Sequence, residues 1–107
     1  MKILVTVAAD YIASRFDLCT EVLIAQFNED KTGPAPRTVL LPGPSADELC
    51  SLILKENIDV VVCGGIEDSF FKYLVWKKVV VIDRVIGLSS KALQLVLEER
   101  LHAGAVI

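Results

Sequence analysis

Within residues Asp59–Cys63 the stretch Val-Val-Val-Cys is continuously apolar, and Gly64-Gly65 ends it. A short apolar run bounded by turn formers fits a strand buried on both faces. Such strands belong to parallel sheets covered by helices, so this segment points to an α/β fold. The other apolar stretches, such as Val79–Ile82, are equally short and bounded by charge. None reaches the roughly 18 to 20 residues of a membrane helix. The high mean hydropathy, +0.54, is therefore read as buried strands.

The order of elements sets the topology. Lys2–Ala9 is the first predicted strand, and residues 10–20 lack a period and read as a loop. Glu21–Phe27 is the second strand. Arg37–Leu41 is the third, stopped by Pro42-Gly43-Pro44. Ser45 then stands as an N-cap with Glu48 three residues later, and Ala46, Leu49, Cys50 and Ile53 share one helical face. That helix is expected to end near Asn57. Asp59–Cys63 is the fourth strand, and Glu67 or Asp68 opens a helix to about Val75. Lys78–Asp83 is the fifth strand. Ser89 or Ser90 caps a last helix to about His102, with Gly104 as the residue that ends it.

Three strands without helices predict an antiparallel meander, and the later strand–helix alternation predicts right-handed parallel crossovers. The expectation is a ribonuclease H-like three-layer fold. Its five-stranded mixed sheet has order 3-2-1-4-5, with strand 2 antiparallel. Residues 1–107 are read as one domain. Chain order reverses between strands 1 and 4, and ligands bind open α/β sheets beside such switch points. Residues 10–20, 63–68 and 83–88 converge there.

Charge and cysteine usage exclude several functions. A net charge of −3 offers no long-range attraction to nucleic acid or an anionic membrane. The three cysteines, Cys19, Cys50 and Cys63, are widely spaced and form no C-x-x-C pair. With an amino terminus that runs directly into a strand, they lead to the expectation of a reducing cytoplasm. Nuclease chemistry needs clustered carboxylates to hold two metals. Ile3–Ala9 is uncharged and Asp59 enters its strand at the wrong end, so no such activity is expected.

Gly64-Gly65 lets backbone approach another group closely and has two readings: exposed N–H groups for a ligand, or a tight strand-to-helix turn. Cys50 is assigned to the core. Cys19 is placed in a loop where it can face solvent. Cys63 is either a small buried hydrophobe or a soft-metal ligand. Arg15 and Arg84 are the cations nearest the edge, free for an anion or paired with Asp17 and Asp83. The lone His102 is read as solvated.

The turn Cys63-Gly64-Gly65-Ile66 after a buried strand resembles that of the dinitrogenase iron–molybdenum cofactor biosynthesis family. That family includes NifX-like and NafY-like carriers and the carboxyl-terminal part of NifB. Met1-Lys2-Ile3, Ser14-Arg15-Phe16, Glu21-Val22-Leu23-Ile24, Gly33-Pro34-Ala35-Pro36 and Ile58–Val62 fit the same pattern. The resemblance implies a non-enzymatic carrier or binding domain for a molybdenum- or iron-containing metal–sulfur cluster. Ser14, Arg15, Phe16, Cys63, Gly64, Gly65, Ile66 and Arg84 would line its site, and Cys63 and Cys19 would be the thiolate donors. A cluster donor or acceptor protein would be the partner, and the chain would be a monomer or weak homodimer. Two alternatives stay open: an interaction module without a cofactor, and an enzyme using strand-end carboxylates.

Overall fold

The structure, a computed structural model, describes residues Met1–Ile107. Its strands are β1 (Lys2–Ala8), β2 (Tyr11–Ile12), β3 (Glu21–Gln26), β4 (Arg37–Leu40), β5 (Val60–Val62) and β6 (Val80–Ile82). Its helices are α1 (Ala46–Lys55), α2 (Asp68–Trp76) and α3 (Ser89–Leu97), with a 3₁₀ turn at Phe16–Leu18. The long strands lie in the order β4-β3-β1-β5-β6. β3 is antiparallel to both β1 and β4, whereas β1, β5 and β6 are mutually parallel. Leu4 sits between Ile24 of β3 and Val61 of β5.

The period of two along β1 and β5 divides the core. Leu4, Val61 and Cys63 face one side with Phe16, Val22 and Ile24, covered by Leu49, Cys50 and Ile53 of α1 and Leu74 of α2. Ile3, Val5, Val60 and Val62 face the other side, beneath Ala92, Leu93 and Val96 of α3. Each fully buried Val, Leu or Ile contributes roughly 1.5–3 kcal/mol, so these two layers hold the sheet rigid between the helices.

Helix α1 begins as its sequence indicates: the Ser45 Oγ accepts from the Glu48 N–H at 3.2 Å. All three helices end alike, and without glycine. Asn57, Lys78 and Glu99 take positive φ, and the next N–H reaches back to Ile53, Leu74 and Leu95 at 3.1, 3.0 and 2.8 Å. This is the Schellman arrangement, which satisfies carbonyls that a helix end leaves free.

Three expectations need correction. Residues 10–20 are not all loop: Ala9-Asp10 make a two-residue turn, and Tyr11–Ile12 pair with Ala8 and Val7. The last helix stops at Leu97 rather than near His102, because Glu99 supplies the left-handed residue that ends it. Gly104 lies in a later turn, where its N–H donates to the Asp83 carbonyl at 2.9 Å. His102 is exposed beyond the helix.

Candidate functional site

Backbone hydrogen bonds stitch three loops together at the carboxyl ends of β1, β5 and β6. The Gly65 N–H donates to the Ser14 carbonyl, and the Phe16 N–H donates to the Gly65 carbonyl, both at 2.8 Å. The Arg84 N–H donates to the Gly64 carbonyl at 2.9 Å, and the Val85 N–H to the Cys63 carbonyl at 3.1 Å. The Ile12 N–H reaches Gly87 at 2.9 Å, and Ser89 holds the Asp10 carbonyl through its N–H at 2.9 Å and its hydroxyl at 3.0 Å. Residues 10–20, 63–68 and 83–88 are thus brought together.

Gly64 rather than Gly65 is the position where glycine is required. A Cβ on Gly64 would lie 2.7 Å from the Ser14 carbonyl carbon and inside contact distance of the Ala13 and Ser14 oxygens. A Cβ on Gly65 would meet only the Ser14 oxygen, at 3.6 Å. The close approach that a Gly-Gly turn permits is therefore protein backbone on protein backbone. The Gly65 N–H is already taken and is no donor for a ligand.

A crevice of about 370 Å³ opens beside this junction. Ile12, Ser14, Gly64, Gly65, Arg84, Val85 and Ile86 line it. Ser14, Gly64, Gly65 and Arg84 of the expected site residues meet here. Ile12, Val85 and Ile86 lie within the segments expected to converge, but no sequence signal singles them out as lining residues. Ile86 is an exposed isoleucine after a strand, 64% accessible, in a loop of otherwise ordinary residues.

The remaining expected residues lie elsewhere. Phe16 is buried and packs on Phe70 with ring centroids 6.3 Å apart, so it belongs to the core. Ile66 packs half-buried against the same core. Arg15 points away into a second crevice, of about 260 Å³, with Leu18, Cys19 and Glu21. Its Nε and Nη2 are held by Asp17 at 3.0 and 2.6 Å, an ion pair that raises its pKa. Arg84 is different: its one ion contact is Nε to Asp83, at 3.5 Å.

The thiols also depart from the expectation. Cys19 is buried, not solvent-facing, and its Sγ donates to the Glu21 carbonyl at 2.9 Å. Cys63 is fully buried and lines neither crevice. Burial pushes the Cys63 thiol up to about 12, with the Asp83 carboxylate adding to it, and burial raises Cys19 too. No three His, Cys, Asp or Glu side chains converge to hold a metal ion. What the crevice offers is a cation and apolar walls, since the N–H groups of Ile12, Gly65, Arg84, Val85 and Ile86 are bonded within the protein.

No protein-family model matches the chain, and no curated protein matches it by sequence. Solved structures do match in fold. The PH0822 protein superposes with a TM-score of 0.84 at 15% identity, over 96% of this chain and 94% of that one. A candidate dinitrogenase of Methanocaldococcus jannaschii gives a TM-score of 0.74 at 23% identity, over 94% and 91%. The apo form of the orange protein from Desulfovibrio gigas gives 0.74 at 18% identity, over 97% and 92%. At these identities the likeness establishes a shared fold: mixed α/β, with a multi-stranded mixed sheet and three helices. The neighbours include a dinitrogenase candidate, in line with the family that Cys63–Ile66 resembles. No helix is long and apolar enough to cross a membrane.

Proposed function

We propose that this chain is a non-enzymatic carrier or binding domain whose cargo is a small anionic metal–sulfur cluster. One observation carries the reading: the crevice at the carboxyl ends of the parallel strands, with Arg84 at its edge and Ile12, Val85 and Ile86 as apolar walls. A cargo there is held by charge and shape rather than by thiolates, because Cys19 and Cys63 are buried and line no part of this crevice. The fold neighbours, the apo form of an orange protein and a candidate dinitrogenase among them, are in line with a cofactor-associated role. In this reading the chain is one ribonuclease H-like domain, residues 1–107, in a reducing cytoplasm. It exchanges cargo with a cluster donor or acceptor protein and acts as a monomer or weak homodimer.

A second reading, an interaction module without cargo, draws on a separate feature. Val75, Trp76 and Val80 are exposed beside the free edge of β6, with Lys77 lying over the Trp76 ring at 4.7 Å. Anaerobic incubation with tetrathiomolybdate and, separately, with a synthetic iron–sulfur cluster distinguishes the two. The carrier reading expects metal to co-elute with the protein on gel filtration with a changed absorption spectrum, and Ile86→Glu to abolish this. Wild-type protein that emerges free of metal from both incubations favours the interaction module.

A further inference from the structure

Six non-glycine residues have positive φ: Ala9, Lys31, Asn57, Lys78, Arg84 and Glu99. Local structure accounts for five. Asn57, Lys78 and Glu99 end helices. Ala9 turns the chain between β1 and β2. Lys31 sits in a tight turn where Asn28 accepts its N–H at 2.9 Å and donates to Thr32 at 2.7 Å. Arg84, at φ +57°, ends no helix and closes no hairpin. Its Cβ crowds the backbone in this conformation, where glycine would sit without cost. Such outliers persist where surrounding structure enforces them, and they gather at binding sites.

The surroundings of Arg84 show what this conformation achieves. It directs the Arg84 N–H to Gly64 and the Val85 N–H to Cys63, which brings residue 84 to the crevice edge. The side chain is 68% accessible, and its Nη1 and Nη2 have no protein acceptor. Arg15, the other cation at this end of the sheet, has its guanidinium bound to Asp17. Ser14 and Gly64 line the same crevice, and neither N–H makes a backbone hydrogen bond.

We infer that Arg84 grips the ligand of this crevice, that the ligand is a compact anion presenting two oxygens or sulfurs to the guanidinium fork, and that the left-handed backbone at residue 84 is kept for that contact. The inference rests on the crevice being a binding site, and it names the chemistry recognised there. The two Nη groups form a planar fork that matches two oxygens or sulfurs of one anion, a match lysine lacks. Ser14 and Gly64, from two neighbouring loops, lie beside it.

The test uses anaerobic calorimetric titration of tetrathiomolybdate, molybdate and inorganic phosphate into wild type, Arg84→Gly and Arg84→Lys, with thermal melts of the ligand-free proteins. Arg84→Gly is expected to melt above wild type and to bind the anion at least tenfold more weakly. Arg84→Lys should melt with wild type and bind with intermediate affinity. Wild-type affinity in Arg84→Gly, with wild type itself binding, overturns the inference and leaves the carrier reading intact. So does an Arg84→Gly protein that melts below wild type. Failure of wild type to bind any of the three anions overturns both. Binding of phosphate in place of the thio-anion, lost in Arg84→Gly, supports the clamp and assigns the crevice to phosphate compounds.

Discussion

The Gly65 N–H donates to the Ser14 carbonyl at 2.8 Å, and through this bond the first loop is fastened over the end of β5. The loop lies so close that Gly64, one residue earlier, has no room for a side chain. Gly64→Ala is expected to cost about 2–3 kcal/mol, the range of overpacking a closely fitted site. Gly65→Ala, whose added Cβ meets only ordinary contact, should stay within about 1 kcal/mol of wild type. Urea denaturation of both variants measures the contrast. Equal losses would mean that the two loops do not lie against each other as described.

The order of importance of the two glycines was not legible in the sequence. Gly64-Gly65 announces close approach but not which neighbour approaches. The neighbour, Ala13-Ser14, is some fifty residues distant and reads as featureless loop. The same loop hides Cys19, which a linear reading leaves open to solvent. By contrast, the mixed sheet with three helices was legible because its signals are local: apolar runs, the Ser45 cap, and proline and glycine stops. Only the end of the last helix departs from expectation: its left-handed residue, Glu99, gives no composition signal, whereas Gly104 further on does.

Lys78 offers a route to higher stability. It ends α2 at φ +70°, with Val79 bonded back to Leu74, and its side chain takes part in no ion pair. Glycine there removes a backbone cost of roughly 1–2 kcal/mol, partly offset by the greater freedom of the unfolded chain. Lys78→Gly should therefore raise the melting temperature by a few degrees, on the order of 4 °C. Differential scanning calorimetry decides it, and a lower Tm would show that residue 78 is not left-handed in solution.

Thr6 is wholly buried, and its hydroxyl has no hydrogen-bond partner. It shares a face of β1 with Leu4, among apolar neighbours, where an unpaired hydroxyl costs about 1–3 kcal/mol. Valine has nearly the same shape and nothing to satisfy. Thr6→Val is expected to be neutral or stabilising by up to about 2 kcal/mol in chemical denaturation. A clear loss would indicate that the hydroxyl is bonded in solution, for example to an ordered water.

The buried thiols predict weakness in alkali. Cys63 rises from an ordinary 9.0 to about 12 and Cys50 to about 11, burial being the main cause in each. Above pH 9 the unfolded chain loses these protons before the folded one does, so folding stability falls as pH rises. The contribution is whole below pH 9 and is lost progressively between 9 and about 12. Denaturation midpoints at pH 8 and pH 10 measure it, and Cys63→Ala should flatten the fall. The same burial should make folded protein slow to react with iodoacetamide at pH 8. Rapid labelling of all three cysteines without denaturant would contradict their placement.

Amide chemical shifts of labelled protein, followed as tetrathiomolybdate is added anaerobically, test most directly whether the crevice between the first loop and the segment after β6 binds the cargo. The largest changes are expected at Ser14, Gly64, Gly65, Val85 and Ile86, with little at residues remote from the crevice. The contradicting result is a set of changes centred instead on the groove of Asp47, Ser51, Phe70 and Tyr73 between α1 and α2, or no change at saturating anion.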